Sequence, residues 1–118
     1  MGREAIDAWD RTKLVGGATT ARLYIGKSHL ALEELDDAEA AFRSAVESAV
    51  GRPAAAAYAA QAVLGIAQVQ EARGKIDPET PDLVRGAIAS LEGGSPASRV
   101  TARALREWLE QRGESVQG

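Results

Sequence analysis

The chain has 118 residues, a net charge of −3, 45% hydrophobic and 26% charged residues, the size and balance of one globular domain with a single modest core. It contains no Cys and one His, which excludes disulfides, thiolate metal sites, Cys nucleophiles and His-cluster metal centres, and it has no segment basic enough for a phosphate backbone. Ala accounts for 24 residues against five aromatics, Trp9, Tyr24, Phe42, Tyr58 and Trp108, so the core is built from small side chains that suit closely packed helices and not a β sandwich.

Taken in order, residues 3–14 predict a short amphipathic helix with Ala5, Ile6, Trp9 and Leu14 on one side, ended by Gly16 and Gly17. A second helix is predicted from Thr19 to Glu34, with Ala21, Tyr24, Ile25, Ala31, Leu32 and Leu35 at the spacing of one inward face. Asp36 with Glu39 three residues on reads as a capping box that opens a third helix, to Val50, with Ala38, Ala41, Phe42, Ala45, Val46 and Ala49 inward. Gly51 stops it, Pro53 opens a fourth helix that runs to Arg73, and Gly74 ends that one. The loop from Lys75 to Thr80 is the one sizeable connection. Thr80-Pro81 then starts a fifth helix over 81–92, and Ser95-Pro96 a sixth over 96–112 with Val100, Ala104, Leu105, Trp108 and Leu109. Residues 113–118 form a polar tail. About six helices joined by short turns, with no strand candidate of any length, predict an all-α array of antiparallel helical hairpins.

The longest apolar run, residues 53–67, is Ala-rich and broken by Gln61, too weakly hydrophobic for a membrane span. The N-terminus Met-Gly-Arg-Glu-Ala lacks the apolar core of a signal peptide. The expectation is a soluble, cytoplasmic protein with no membrane and no nucleic-acid partner. Nothing in the sequence says whether it is a whole gene product or an excised domain.

Internal periodicity is the most informative feature. The segment from Tyr24 to Val46 resembles a tetratricopeptide repeat: Gly26, Ala38, Phe42 and Ala45 match in register the family's small, small, aromatic and small positions. A weaker copy starts at Leu64-Gly65-Ile66-Ala67, where Gly65 follows Gly26 at an offset of 39 residues (65 minus 26), and its second helix is displaced by the 77–80 insertion. Ala5-Ile6-Asp7-Ala8-Trp9 echoes Ala38-Glu39-Ala40-Ala41-Phe42 and reads as the second helix of a half-repeat. The resemblance implies a single short array: half-repeat helix 3–14, first repeat 19–50, second repeat 53–92 with its loop insertion, capping helix 96–112. Departures are Arg22 and Gln61 where the family has a large apolar residue, His29 and Gln68 where it commonly has Tyr, and an offset longer than the usual 34.

The family's concave surface would fall here on Thr20, Leu23, Lys27 and Leu30 in the first copy and on Ala59, Ala62, Ile66 and Val69 in the second. That groove is mainly apolar with one lysine. It does not fit the family's carboxylate clamp, which needs several Lys and Asn residues. It suits an amphipathic helix or apolar peptide of a protein partner, or the chain's own terminal helix.

Other constellations carry less. Gly26-Lys27-Ser28 ends like a phosphate-binding loop, but Ala21 stands where the first Gly belongs and no strand precedes it. Glu33, Glu34, Asp36, Asp37 and Glu39 form an acidic turn without the spacing of a calcium loop. His29 has no catalytic partner by spacing. Arg99, Arg103 and Arg106 form a stripe on the last helix, matched by Glu107 and Glu110 four residues on from the latter two. Trp108 reads as part of that helix's inner face, or, if exposed, as a dimer contact. The sequence therefore predicts a non-catalytic protein–protein interaction module without cofactor or metal, with a homodimer through the C-terminal helix as a further association. The alternative is a regulatory or small-ligand-sensing helical domain of a larger bacterial regulator.

Overall fold

The structure is a computed structural model that describes residues 17–92 and 94–114. Five α-helices follow one another: α1 (Gly17–Ala31), α2 (Leu35–Ser48), α3 (Ala56–Arg73), entered through a 3-10 turn at Pro53–Ala55, α4 (Thr80–Ser90) and α5 (Pro96–Gln111). All regular structure among the described residues is helical, so the chain is all-α over this span. The expected helix over 3–14 lies outside the described residues, as does most of the tail.

The helices are arranged around α3. α1 packs on α2 and on α3, while α4 packs on α3 and α5, and α5 reaches back to α3. This explains why α3 carries the most buried residues of the five described helices. Ala60, Ala62, Val63, Gly65, Ile66, Ala67, Val69 and Gln70 are all buried there. On one side Leu23, Ala38, Phe42 and Ala45 meet Ala62, Ile66 and Val69. On the other, Val84, Ile88, Leu105, Trp108 and Leu109 meet Ala60, Val63 and Ala67.

The close approach of α1, α2 and α3 rests on two glycines and one ring. Phe42, on α2, is wedged between Gly26 on α1 and Gly65 on α3. A Cβ added at Gly26 would stand 2.6 Å from Phe42 Cδ1, and one at Gly65 would stand 2.5 Å from Phe42 Cζ. Only glycine leaves room for the ring on both sides. Ala38 and Ala45 are fully buried on the same helix as Phe42.

The helix boundaries agree with the expected breakers, but two of the expected caps are made differently. α2 begins at Leu35, with Glu34 as an N-cap that makes no side-chain cap bond. Asp36 and Glu39 do not form a capping box: Asp36 receives Arg73 at 2.7 Å, and Glu39 receives Arg73, Arg43 and Gln70. Thr80 likewise does not cap α4. Its buried hydroxyl donates to Gln70 Oε1 at 2.6 Å. In both cases a tertiary partner outcompetes the local amide. Ser95 does cap α5, accepting from Ser98 N at 3.3 Å, and Gly74 ends α3 in the left-handed conformation at φ +79°.

The inward face of α1 also differs. Thr19, Leu23 and Gly26 are buried, with Leu30 half-buried behind them, whereas Tyr24 (58% exposed) and Leu32 (69%) look outward. Residues 19, 23, 26 and 30 recur at three- and four-residue steps and make as regular a helical stripe as the expected Ala21, Tyr24, Ile25, Ala31, Leu32 and Leu35. Contact of Gly26 with Phe42 selects the first set, and the buried Thr19 hydroxyl meets Ser48 Oγ at 2.6 Å on α2.

Candidate functional site

Because α1 and α5 both lean on α3 without α2 or α4 between them, one face of α3 is left as a floor with α1 and α5 as walls. The groove holds a cavity of about 250 Å³, lined by Lys27 of α1, by Gln61, Leu64, Gly65 and Gln68 of α3, by Val100, Thr101 and Ala104 of α5, and by the edge of Phe42 at its base. Gln61, Leu64 and Gln68 stand one helical turn apart along the floor, so amide, apolar and amide groups alternate there. Lys27 Nζ donates to Gln61 Oε1 at 3.4 Å and lies 5.3 Å from the centre of the Tyr24 ring. Among the described residues no carboxylate lines the groove, and Lys27 is its one charged side chain.

This is not the groove predicted from the repeat register. Of the eight expected positions, Leu23, Ala62, Ile66 and Val69 are buried in the core between α1, α2 and α3 and do not line an open surface. Thr20, Leu30 and Ala59 are half-buried away from the cavity, and Lys27 alone belongs to it. The expected face of α3 is covered because α2 packs on it. The open face is the one through Gln61, Leu64 and Gln68. The signal for it was present in the sequence: Gln61 and Gln68, the two departures from the family pattern in this helix, lie seven residues apart in an otherwise Ala-rich segment. Amides seven apart share a face, and they avoid burial unless satisfied.

Gln70 illustrates the contrast. It is fully buried, and every polar atom of its amide is used. Oε1 accepts from Thr80 Oγ1 and from the Asp77 backbone N–H (3.0 Å), while Nε2 donates to Glu39 (3.3 Å) and to Asp77 (3.2 Å). The amide ties the 74–79 connection and the start of α4 to α2. Burial alone would raise the Glu39 carboxyl, but hydrogen bonds from Arg73, Arg43 and Gln70 outweigh it and hold its pKa below the ordinary carboxylate value. Glu39 in turn stabilises the Arg73 cation. A carboxylate with both oxygens taken by cations is a poor proton acceptor; the cluster acts as a clasp.

The remaining constellations fall as follows. Gly26-Lys27-Ser28 lies inside α1, with Ser28 Oγ donating to Tyr24 O at 3.0 Å, so its amides belong to the helix and cradle nothing. Arg99, Arg103 and Arg106 are exposed on α5; Arg103 meets Glu107 at 3.9 Å, but the expected Arg106–Glu110 pair does not form. Trp108 is buried, with its Nε1 unpartnered among the described residues and Arg112 stacked 4.4 Å from its ring centre. Arg112 also pairs with Glu71, fastening the end of α5 to α3. A wider depression of about 390 Å³ lies at the α2–α3 turn between Val46, Ala49, Val50, Arg52 and Ala56, with the half-buried Ala59 on its edge. It is shallow and offers one charged group. No helix among the described residues is long and apolar enough to cross a membrane. No family model matches the chain, and no curated protein or solved structure is significantly similar to it.

Proposed function

We propose that the chain is a non-catalytic protein-interaction module, a short helical-hairpin array in the manner of tetratricopeptide-like domains, that takes a peptide segment of a partner protein into the groove between α1, α3 and α5. The reading is supported by one observation: the open floor of the groove along the central helix alternates amide and apolar groups, Gln61, Leu64 and Gln68, and among the described residues its lining carries a single lysine and no carboxylate. Amides pair with the backbone N–H and C=O of a bound peptide, Leu64, Val100 and Ala104 bury its apolar side chains, and Lys27 favours an acidic residue at one end. The floor is a buried, tightly packed helix, so the receptor loses little conformational freedom on binding.

The test is selection of peptides from a display library against the intact chain, followed by affinity measurement with groove variants. Selected peptides should contain an acidic residue beside apolar ones. Leu64→Arg and Lys27→Glu should each weaken binding at least about tenfold, equal to 1.4 kcal/mol. Val50→Arg, outside the groove, should leave it unchanged. Selected peptides whose affinity ignores Leu64→Arg and Lys27→Glu would refute the assignment.

A further inference from the structure

We propose that His29, Glu34 and Asp37 form a binding site for a divalent transition-metal ion of the zinc class at the tip of the α1–α2 hairpin. The three side chains come from two helices. His29 lies in the last turn of α1, Glu34 caps α2 and Asp37 lies in its first turn. One ligand atom from each lies within 4.8 Å of the other two, and His29 Nδ1 is already 2.7 Å from Glu34 Oε1. Ligands around a tetrahedral zinc ion stand about 3.3 Å apart, so an ion is accommodated by side-chain shifts on the order of 1 Å, with no movement of the helices.

Three features make this more than a group of surface acids. First, the donor set is mixed: an imidazole nitrogen with two carboxylates suits zinc, copper or nickel rather than calcium or magnesium. Second, the backbone holds the ligands in place. Glu34 N donates to His29 O at 2.9 Å and Glu33 N to Leu30 O at 3.0 Å, and Glu33 sits at φ +61° to turn the chain back between them. Third, neighbouring charges sort the carboxylates. Arg73 takes Asp36 and Glu39 at 2.7 Å each, while Asp37 has no partner among the described residues and faces the imidazole. The exposed Glu33 adds negative charge nearby, with no cation paired to it among the described residues. The remaining positions of the ion would be taken by water. A bound ion would cross-link α1 to α2 and fix the end of the groove wall that carries Lys27. The site does not depend on the peptide-binding reading.

The experiment is calorimetric titration of the tag-free chain with zinc chloride, read in parallel by the nitrogen-15 signals of the imidazole, which are unambiguous because the chain has one His. Saturable one-to-one binding that shifts the His29 ring signals, survives excess calcium, and weakens at least about tenfold in His29→Ala and in Asp37→Asn supports the site. Glu47→Gln, at the opposite end of α2 from the site, should leave the affinity within about twofold, since that exposed side chain lies outside the ligand set. All three positions are at the surface, and the melting curve of each metal-free variant reports that it folds. Binding that is unsaturable, leaves the ring signals unmoved, or is indifferent to His29→Ala and Asp37→Asn would mean adventitious binding only and would overturn the proposal.

Discussion

Substituting Gly65 by Ala sets two opposed terms against each other, and the structure decides between them. In the interior of a helix the change should stabilise by about 0.8–1.0 kcal/mol, because alanine loses less backbone entropy on folding. At Gly65, however, the new Cβ would lie 2.5–2.6 Å from three atoms of the Phe42 ring. Ordinary carbon contacts are about 3.5–4.0 Å, so the ring would have to withdraw by roughly 1 Å. Its retreat is limited, because Cγ, Cδ1 and Cε1 of the same ring are in close contact with Gly26. Overpacking of this kind costs about 1–3 kcal/mol, so Gly65→Ala should be destabilising by a net ~1–2 kcal/mol. Gly86, in the interior of α4, is the internal control. A Cβ there meets nothing within 4 Å, and Gly86→Ala should stabilise by about 0.5–1 kcal/mol. Urea denaturation followed by circular dichroism measures both. In a Phe42→Leu background the ring is gone, and Gly65→Ala should become neutral or stabilising. If Gly65→Ala raises stability as much as Gly86→Ala does in the unaltered chain, the wedge reasoning is wrong.

Gln70→Ala should cost about 2–4 kcal/mol, because it opens a cavity and strips the buried Thr80 hydroxyl and the Asp77 N–H of their acceptor; protease cleavage within 75–79 should accelerate alongside it. Glu39 contributes acid sensitivity with a definite sign. Its carboxyl is held below its unfolded-state pKa, so its stabilisation is present above that value, about 4.3, and is lost as pH falls through the lower folded value. Thermal melts from neutral to acid pH should therefore show Glu39→Gln less stable than the unaltered chain at pH 7, with a flatter loss on acidification. Parallel pH profiles for the two chains would contradict the clasp.

The parts of the fold legible in the sequence are those governed by backbone chemistry. Gly74 had to end a helix and Ser95-Pro96 had to begin one, and both do. The wedge was also foreseeable in outline, since Gly26, Ala38, Phe42 and Ala45 stand together in the resemblance to a known repeat and are all buried. Side-chain caps were less legible. Asp36, Glu39 and Thr80 carry the right chemistry for local caps, but Arg73 and Gln70, some 30 or more residues away for the first two, offer stronger partners. Charge-assisted and buried hydrogen bonds outweigh a solvent-exposed cap, and no local pattern announces them.

The place of the groove is hidden in the sequence for a related reason. In an Ala-rich helix such as α3, hydrophobic periodicity barely distinguishes one face from another, so the exposed side had to be borrowed from the repeat register. The register put it on Ala62, Ile66 and Val69, which α2 covers. The polar residues carry the information instead. A glutamine inside such a helix must face either a complete set of partners or water, and α3 contains both outcomes. Gln70, flanked by Thr80, Asp77 and Glu39, is satisfied and buried. Gln61 and Gln68 lack such partners on that scale and lie along the open floor between α1 and α5. The glycine wedge then determines which charge overlooks that floor: Lys27 follows Gly26 directly, so the contact that seats α1 on Phe42 also swings the lysine to the groove rim within reach of Gln61. Packing and candidate recognition thus share one short segment of α1, because the residue that seats the helix and the residue that overlooks the floor are consecutive.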